Sequence, residues 1–384
     1  MANSTRKLYS RHPGLYFNAG MSVASKPRVL IGLSGGVDSS TAAALLLEQG
    51  YEVVGITLKL WPQDCLSRAE DKCCGPQAVA DARAVCHKLG IPFYLVDEAA
   101  EFQKLVIDYF AAEYKAGRTP NPCVMCNEHL KFGTLLRRAR ALGAEFIATG
   151  HYARVERQAE RWLLKRGRDP RKDQSYFLFS LRQPQLARAL FPLGDHTKND
   201  TREAARELRL KTADKEESME ICFVPDRDYG KFLRQSGLAA SHRGDIVDLE
   251  GRKLGEHEGI EFYTIGQRRG LRVSHPTPLY VLDLDPDNNR VIVGDGAALE
   301  RDELVVERCN WIPFDQPPEP LKVLAKIRYN HAGAPATVTA RGPDSARVKF
   351  HAPQRAITPG QACVFYQGDL VLGGGWIARS APSS

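Results

Sequence analysis

No run of eighteen apolar residues occurs anywhere in this 384-residue chain, which excludes a membrane-spanning helix. The first 28 residues hold Arg6, Lys7, Arg11, Lys26 and Arg28 and no acidic residue. That is the composition of an organellar transit peptide, but no apolar face recurs at helical spacing, so residues 1–26 read as a flexible bacterial extension. No secretory signal pattern precedes the nine cysteines, whose odd number and uneven spread do not suit a disulfide framework. A reducing compartment, the cytoplasm, is expected. Internal repeats and low-complexity tracts are absent too. The net charge of +7, from 53 basic and 46 acidic residues, is compatible with a polyanionic partner without requiring one.

What is present is an alternation. Strand-like "RVLIGLS", a helix from Ser39 to Gln49 and strand-like "EVVGITL" are followed by a helix from Gln77 to Leu89 closed by Gly90, then strand-like "PFYLVD". A helix from Glu101 to Lys115, a loop at "GRTPNPCVMCN", a helix from His129 to Leu142 and a strand at "FIATGHY" continue it. Such alternation implies an α/β domain with a parallel sheet covered on both faces, over residues 27–224. Beyond about residue 225 short alternating runs broken by Gly, Pro, Asn and Asp predict β structure, including "EFYTIGQRRGL" and a hairpin turning at "DPDNNR". A small central domain over 225–300 and a C-terminal β-barrel over 301–384, of five to seven strands, are expected. The Pro-rich "WIPFDQPPEPL" reads as a boundary or linker.

The first strand runs into Ser34-Gly35-Gly36-Val37-Asp38-Ser39-Ser40 and then a helix. Gly35 and Gly36 permit positive φ and close approach of backbone to a ligand, and the helix N-terminus favours anions. Asp38, Ser39 and Ser40 stand where they can cap that helix. The string matches neither G-x-x-x-x-G-K-[ST] nor G-x-G-x-x-G, and it lacks the lysine of a P-loop. Such a cradle does not suit γ-phosphoryl transfer, where a cation follows the moving charge. It suits a pyrophosphate that leaves as a unit.

Cys123 and Cys126 stand in C-x-x-C spacing near a helix start, where a thiol pKa is lowered. Cys222 follows an acidic stretch read as a loop. Structural zinc would need four ligands in close pairs, and Cys73-Cys74 are adjacent rather than x-x spaced. Cys86, Cys309 and Cys363 lie on apolar faces and read as inert, which leaves redox or sulfur chemistry to Cys126 and Cys222.

The string "GLSGGVDSS" resembles the signature of the PP-loop ATP pyrophosphatases. With "TPNPCVMCNEHLKFG", "ATGHYAR", "KDQSYFL", "EICFV", "YTIGQRRGL", "KIRYN", "TPGQACVFY" and "LGGGWI" in order, the chain from Arg28 onward resembles the tRNA-specific 2-thiouridylases, which install sulfur at C2 of the wobble uridine. The resemblance implies an adenine nucleotide alpha hydrolase-like fold and a tRNA-uridine 2-sulfurtransferase. It implies ATP as substrate with Mg²⁺, the anticodon arm of tRNA as partner, and a persulfide-donating protein. It places Gly32, Leu33, Ser34, Gly35, Gly36, Val37, Asp38 and Ser39 on the ATP phosphates, Leu58 on the nucleotide and Gly150 beside it. Cys126 would be the nucleophile and Cys222 the persulfide carrier. Asn121, Pro122 and Cys123 would meet the target base, and His151, Lys172, Asp173, Gln174, Arg328, Tyr329 and Gln361 would contact tRNA. Many relatives carry aspartate where Cys123 stands. A third cysteine there opens a second route, an iron–sulfur cluster on Cys123, Cys126 and Cys222, ranked behind the persulfide.

Overall fold

The computed structural model describes residues 26–60, 75–215, 221–224, 228–239 and 242–379. The N-terminal extension up to residue 25 and the Cys73-Cys74 pair lie outside them. In the first domain, β1 (Arg28–Gly32), β2 (Glu52–Lys59), β3 (Phe93–Asp97), β4 (Phe146–Ala148) and β7 (Ala189–Leu190) form one sheet in the order β3-β2-β1-β4-β7. Every pairing is parallel, with Val29 opposite both Val53 and Phe146. The alternation of β1 divides the core. Val29 and Ile31 pack beneath α1 (Val37–Glu48) and α2 (Pro76–Leu89), with Ala42, Leu46, Ala82 and Cys86. Leu30 faces the other way, onto Phe132, Leu135 and Ile147. A strand buried on both faces has to be apolar throughout, which is why "VLI" shows no polar alternation.

In this strand order the chain reverses direction of growth between β1 and β4. Ligands of open parallel sheets bind in the crevice at the carboxyl ends of two such strands. The glycine turn after β1 and the Thr149-Gly150-His151 turn after β4 therefore lie side by side.

Two further helices stand between β3 and β4 in the chain. Residues 99–115 form α3, with a π-helical turn at Gln103–Ile107. Residues 122–141 form α4, π-helical over Cys126–Thr134. The second starts earlier than the sequence suggests. Asn121 precedes its first turn and Pro122 takes the first helical position, where a missing N–H costs nothing. The C-x-x-C pair is thus inside a helix and not in the loop before it.

Sequence reading missed the hairpin β5 (Ala153–Gln158) and β6 (Arg161–Arg166), and the helices α5 (Gln183–Leu186) and α6 (Lys198–Glu207). It also missed α7 (Tyr229–Gln235), which lies in the stretch read as β. "EFYTIGQRRGL" is not a strand: Ile260–Phe262 is a 3-10 turn followed by loop. The hairpin at "DPDNNR" is present, joining β10 (Tyr280–Asp285) to β11 (Arg290–Gly294), with Asn289 at φ 50° as the turn requires. With β8 (Gly244–Val247) and β9 (Lys253–His257) these form the central sheet, ordered β10-β11-β8-β9.

The C-terminal strands β12 (Glu300–Trp311), β13 (Leu321–Lys326), β14 (Ala334–Ala340), β15 (Ser345–Arg355), β16 (Ala362–Gln367) and β17 (Leu370–Ile377) run in the order β12-β15-β14-β13-β16-β17. A pairing of β17 with β12 closes them into a barrel. Because β12 precedes the Pro-rich stretch and belongs to the barrel, that stretch is a connection within it and not a domain boundary. β6 pairs with β17 through Leu164 and Val371, so the hairpin of the first domain extends the barrel sheet and ties the two bodies together.

Candidate active site

The cradle is built from the chain's own backbone. Gly35 adopts φ 69°, and a Cβ there would meet the carbonyl oxygen of Ala78 at 2.3 Å, so only glycine fits. Gly36 differs from the expectation. Its φ is −98° and ψ 168°, ordinary extended backbone, and a Cβ would find only the Ser34 hydroxyl at 3.4 Å. Nothing among the described residues demands glycine at 36.

The serines do not cap α1, as the sequence suggested. The Ser40 hydroxyl donates to the Gly36 carbonyl at 2.8 Å and Ser39 Oγ to the same oxygen at 3.3 Å, while the Ser34 N–H donates to Ser39 Oγ at 3.2 Å. α1 begins with no side-chain cap. Its first N–H groups therefore receive no side-chain cap, and an uncapped helix N-terminus is a place where an anion can bind. Leu33 and Val37 are buried and frame the loop from behind. At Gly32 a Cβ would stand 3.5 Å from Leu135, an ordinary contact. Gly150 packs on the same turn: a Cβ there would stand 2.7 Å from the Ser39 nitrogen. Leu58, near the carboxyl end of β2, is half-buried between two apolar clusters, one under the sheet and one around Phe102.

Lysines absent from the loop arrive from later in the chain. Lys215 Nζ donates to the Gly35 carbonyl at 3.1 Å and to Asp81 at 2.8 Å. Across a trans peptide, C=O and N–H point opposite ways, so this bond turns the Gly36 N–H away from Lys215. Asp81 is buried; burial pushes its carboxyl up, but hydrogen bonds from Lys215, Lys211 and Gln77 outweigh that and hold it below the usual range. Lys198, at the start of α6, lies 2.6 Å from Asp38 Oδ1, and the Tyr152 hydroxyl lies 2.8 Å from the same oxygen. Sequence reading named none of Asp81, Tyr152, Lys198, Lys211 and Lys215. One local signal existed: Thr197 and Asp200 form a capping box, which marks Lys198 as a first helical residue.

Two of the three candidate cysteines border one apolar cluster from separate segments of the chain. Cys126, on α4, and Cys222 both pack at the edge of one apolar cluster, formed by Phe102, Phe110, Leu130, Phe223 and Phe232. Cys123 is half-buried one turn earlier on α4 and is not part of that cluster. No three His, Cys, Asp or Glu side chains among the described residues converge in a way that could hold a metal ion. Cys123, Cys126 and Cys222 are thus not gathered around one ion. Elsewhere burial pushes the Cys86 and Cys309 thiols up to about 12 and raises Cys363 as well, which keeps all three protonated and inert.

The segment that precedes Cys123 is clamped by the barrel. The Thr119 N–H donates to the Pro359 carbonyl at 2.8 Å, and Gln361 Nε2 donates to the carbonyls of Thr119 and Pro120 at 3.1 and 3.0 Å. Asn121 and Pro122 are buried behind this clamp. Gln361→Ala would remove two neutral hydrogen bonds, each worth about 1 kcal/mol. It is expected to lower the melting temperature and slow turnover, which thermal unfolding and steady-state assays would check.

The remaining predicted residues fall into two groups. His151 is buried, 2.6 Å from Thr149 Oγ1; burial and then the Lys131 charge hold its pKa well below the ordinary value, so it is neutral at pH 7. Asp173 is buried too, accepting from the N–H groups of Gly167 and Ser175. Gln174 accepts from the Tyr152 N–H at 3.0 Å, which ties the 172–174 turn to the cradle. These three shape the site from within. Lys172 is half-buried, Arg328 is exposed, and the Tyr329 ring lies 4.5 Å from Phe177 with Lys326 5.7 Å above it. That corner is aromatic and basic, the composition that suits single-stranded RNA.

Comparison with known proteins decides between the PP-loop families. Residues 27–226 match a family described as the tRNA methyl transferase HUP domain, 230–295 its PRC-barrel domain and 301–377 an aminomethyltransferase beta-barrel domain. A tRNA-specific 2-thiouridylase MnmA from Geobacter metallireducens is 51% identical, over 93% of this chain and 98% of its own. The chain belongs to the tRNA-specific 2-thiouridylase family. A second member, from Carboxydothermus hydrogenoformans, is 49% identical over 94% of this chain and 100% of its own. The PP-loop domain, the PRC-barrel and the C-terminal barrel of the family correspond to the three sheets described above.

Proposed function

We propose that this protein thiolates C2 of the wobble uridine in tRNA, in an ATP-driven reaction that passes through an adenylated base and a cysteine persulfide. One observation carries the reading. An uncapped helix N-terminus follows a lysine-free glycine turn at the end of β1, and Cys126 and Cys222, far apart in sequence, pack against one apolar cluster.

The C2 oxygen of uracil is a poor leaving group. Its attack on the α-phosphate of ATP forms an O–P bond, breaks the bond to the β-phosphate and sends pyrophosphate into the cradle; the N3 proton passes to solvent. The terminal sulfur of a Cys222 persulfide then attacks C2 and AMP departs with the original oxygen. Cys126 attacks the inner sulfur of Cys222, leaving the outer sulfur on the base and forming a Cys126–Cys222 disulfide. Two electrons from an external thiol reset it. Mg²⁺ would neutralise phosphate charge. Asp38 suits it, since Lys198 and Tyr152 occupy only Oδ1, and Mg²⁺ is commonly held by one carboxylate together with substrate phosphates.

The persulfide on Cys222 is supplied by a donor protein, and a reducing cytoplasm suits both thiols. No helix among the described residues is long and apolar enough to cross a membrane. Contacts to tRNA are mainly to phosphate and position the anticodon arm. Affinity is therefore expected to fall steeply with salt, and Arg328→Ala should reduce the salt slope by about one while leaving ATP affinity unchanged. A flat salt response would point to another substrate. Cys123→Asp is expected to sustain thiouridine formation, since it puts back the residue that many relatives carry and Cys123 lies outside the cluster that joins Cys126 to Cys222. Iron-dependent activity lost in that variant would favour the cluster route. The decisive test is incubation of tRNA with MgATP and a persulfide donor, with thiouridine and AMP measured together.

A further inference from the structure

The cradle sits at the positive end of α1, yet a second positive charge has been buried beside it. Lys198 is only 8% exposed. Its backbone is fixed at the start of α6, where Thr197 caps the helix and the Lys198 N–H donates to Asp169 at 3.0 Å. Its ammonium reaches Asp38 Oδ1 at 2.6 Å and lies 5.9 Å from the centre of the Tyr152 ring. Tyr152 is itself held, with its hydroxyl 3.0 Å from Thr201 Oγ1. Thr41 Oγ1 bonds the Thr201 carbonyl at 3.4 Å, so α6 is docked along α1.

This pair is poorly explained as a stability device. Lys198 is buried and Asp38 only half-buried, so desolvation of the ammonium offsets much of their attraction, and a cation near a helix N-terminus opposes the macrodipole. Asp38 carries a single charge against both. Asp81 already answers Lys215, so the ammonium beside the start of α1 that an arriving anion could share is that of Lys198, held by Asp38.

We propose that Lys198 is the phosphate-directed cation that the glycine loop lacks, a catalytic residue that takes up the charge released on pyrophosphate. The inference rests on the adenylation reading. As the uracil oxygen bonds to the α-phosphate, the electron pair of the breaking bond leaves on the former bridging oxygen of pyrophosphate. Lys198 stabilises that charge, while Asp38 holds it in place before substrate arrives. An interaction that strengthens as the bond breaks lowers kcat when removed and leaves KM nearly untouched.

The test is tRNA-dependent pyrophosphate release by the full-length protein with MgATP, read for wild type, Lys198→Met, Lys198→Arg and Lys198→Ala. Lys198→Met is expected to lose about a hundredfold in kcat, the usual effect of removing one charge-stabilising donor, with the tRNA dissociation constant unchanged. Lys198→Arg should recover part of the rate, and methylamine should restore activity to Lys198→Ala, a rescue that a merely structural lysine would not show. If Lys198→Met does not fold, the arginine variant and the amine rescue decide. A folded Lys198→Met releasing pyrophosphate within about threefold of wild type would overturn the assignment, as would an effect confined to KM. Wild type that releases no pyrophosphate with tRNA would fail the adenylation reading itself, a result separable from any behaviour of the variants.

Discussion

Cys222→Ser is expected to abolish 2-thiouridine formation while leaving tRNA-dependent AMP and pyrophosphate production in place. Serine oxygen cannot carry a sulfane sulfur, so no persulfide forms, and the adenylated base has only water to react with. The substitution is nearly isosteric, and the half-buried thiol sits at the edge of the Phe102–Phe110–Phe223 cluster and not at its centre, so the fold should tolerate it. Cys126→Ser should behave differently: it should accept sulfur on Cys222 and stall before product. Single-turnover assays under anaerobic conditions, with persulfide sulfur quantified beside AMP and thiouridine, separate the two. Wild-type thiouridine yield from Cys222→Ser would remove the persulfide from the mechanism.

Gly36→Val should be as damaging at the other half-reaction. The backbone at 36 is extended, which valine adopts readily, and a Cβ meets nothing closer than Ser34 Oγ at 3.4 Å. The protein should fold with near-normal stability. The branched side chain would stand at the mouth of the turn, where phosphate has to approach backbone. Displacing a reacting group by about one ångström costs about a hundredfold in rate, and AMP formation should fall at least that far. Gly35→Ala is the contrasting control: its Cβ would collide with the Ala78 carbonyl at 2.3 Å in a backbone at φ 69°, so the loop itself should break. A Gly36→Val protein that makes AMP at the wild-type rate would refute the cradle.

The difference between these two glycines shows where sequence reading stops. The seven-residue string, its strand and its helix are adjacent in the chain, so the cradle was legible without coordinates. Which glycine carries the positive φ depends on Ala78, brought in by α2, and no local pattern reports that. Lys198 and Lys215 are invisible for the same reason: both reach the loop only after the chain has crossed the sheet and returned. The parallel sheet could be read because its strands, buried on both faces, are continuously apolar. The hairpin β5–β6 is short and charged, with only the Leu163-Leu164 pair buried in β6, and its partner β17 lies more than two hundred residues on. The Pro-rich stretch misled because a linker and a connection between barrel strands have the same composition. Cys126 and Cys222 were paired only through family likeness; both border one apolar cluster, from segments that no local pattern joins.

In the proposed reaction the protein activates a tRNA uridine with ATP and replaces its C2 oxygen by sulfur from cysteine. Nucleoside mass spectrometry of tRNA after incubation with the protein, MgATP and a persulfide donor tests it most directly. The account predicts 2-thiouridine at the wobble position, formed with one AMP per sulfur and only when ATP is present. Thiouridine appearing without ATP, or AMP accumulating with wild-type protein and donor while the tRNA stays unmodified, would contradict it.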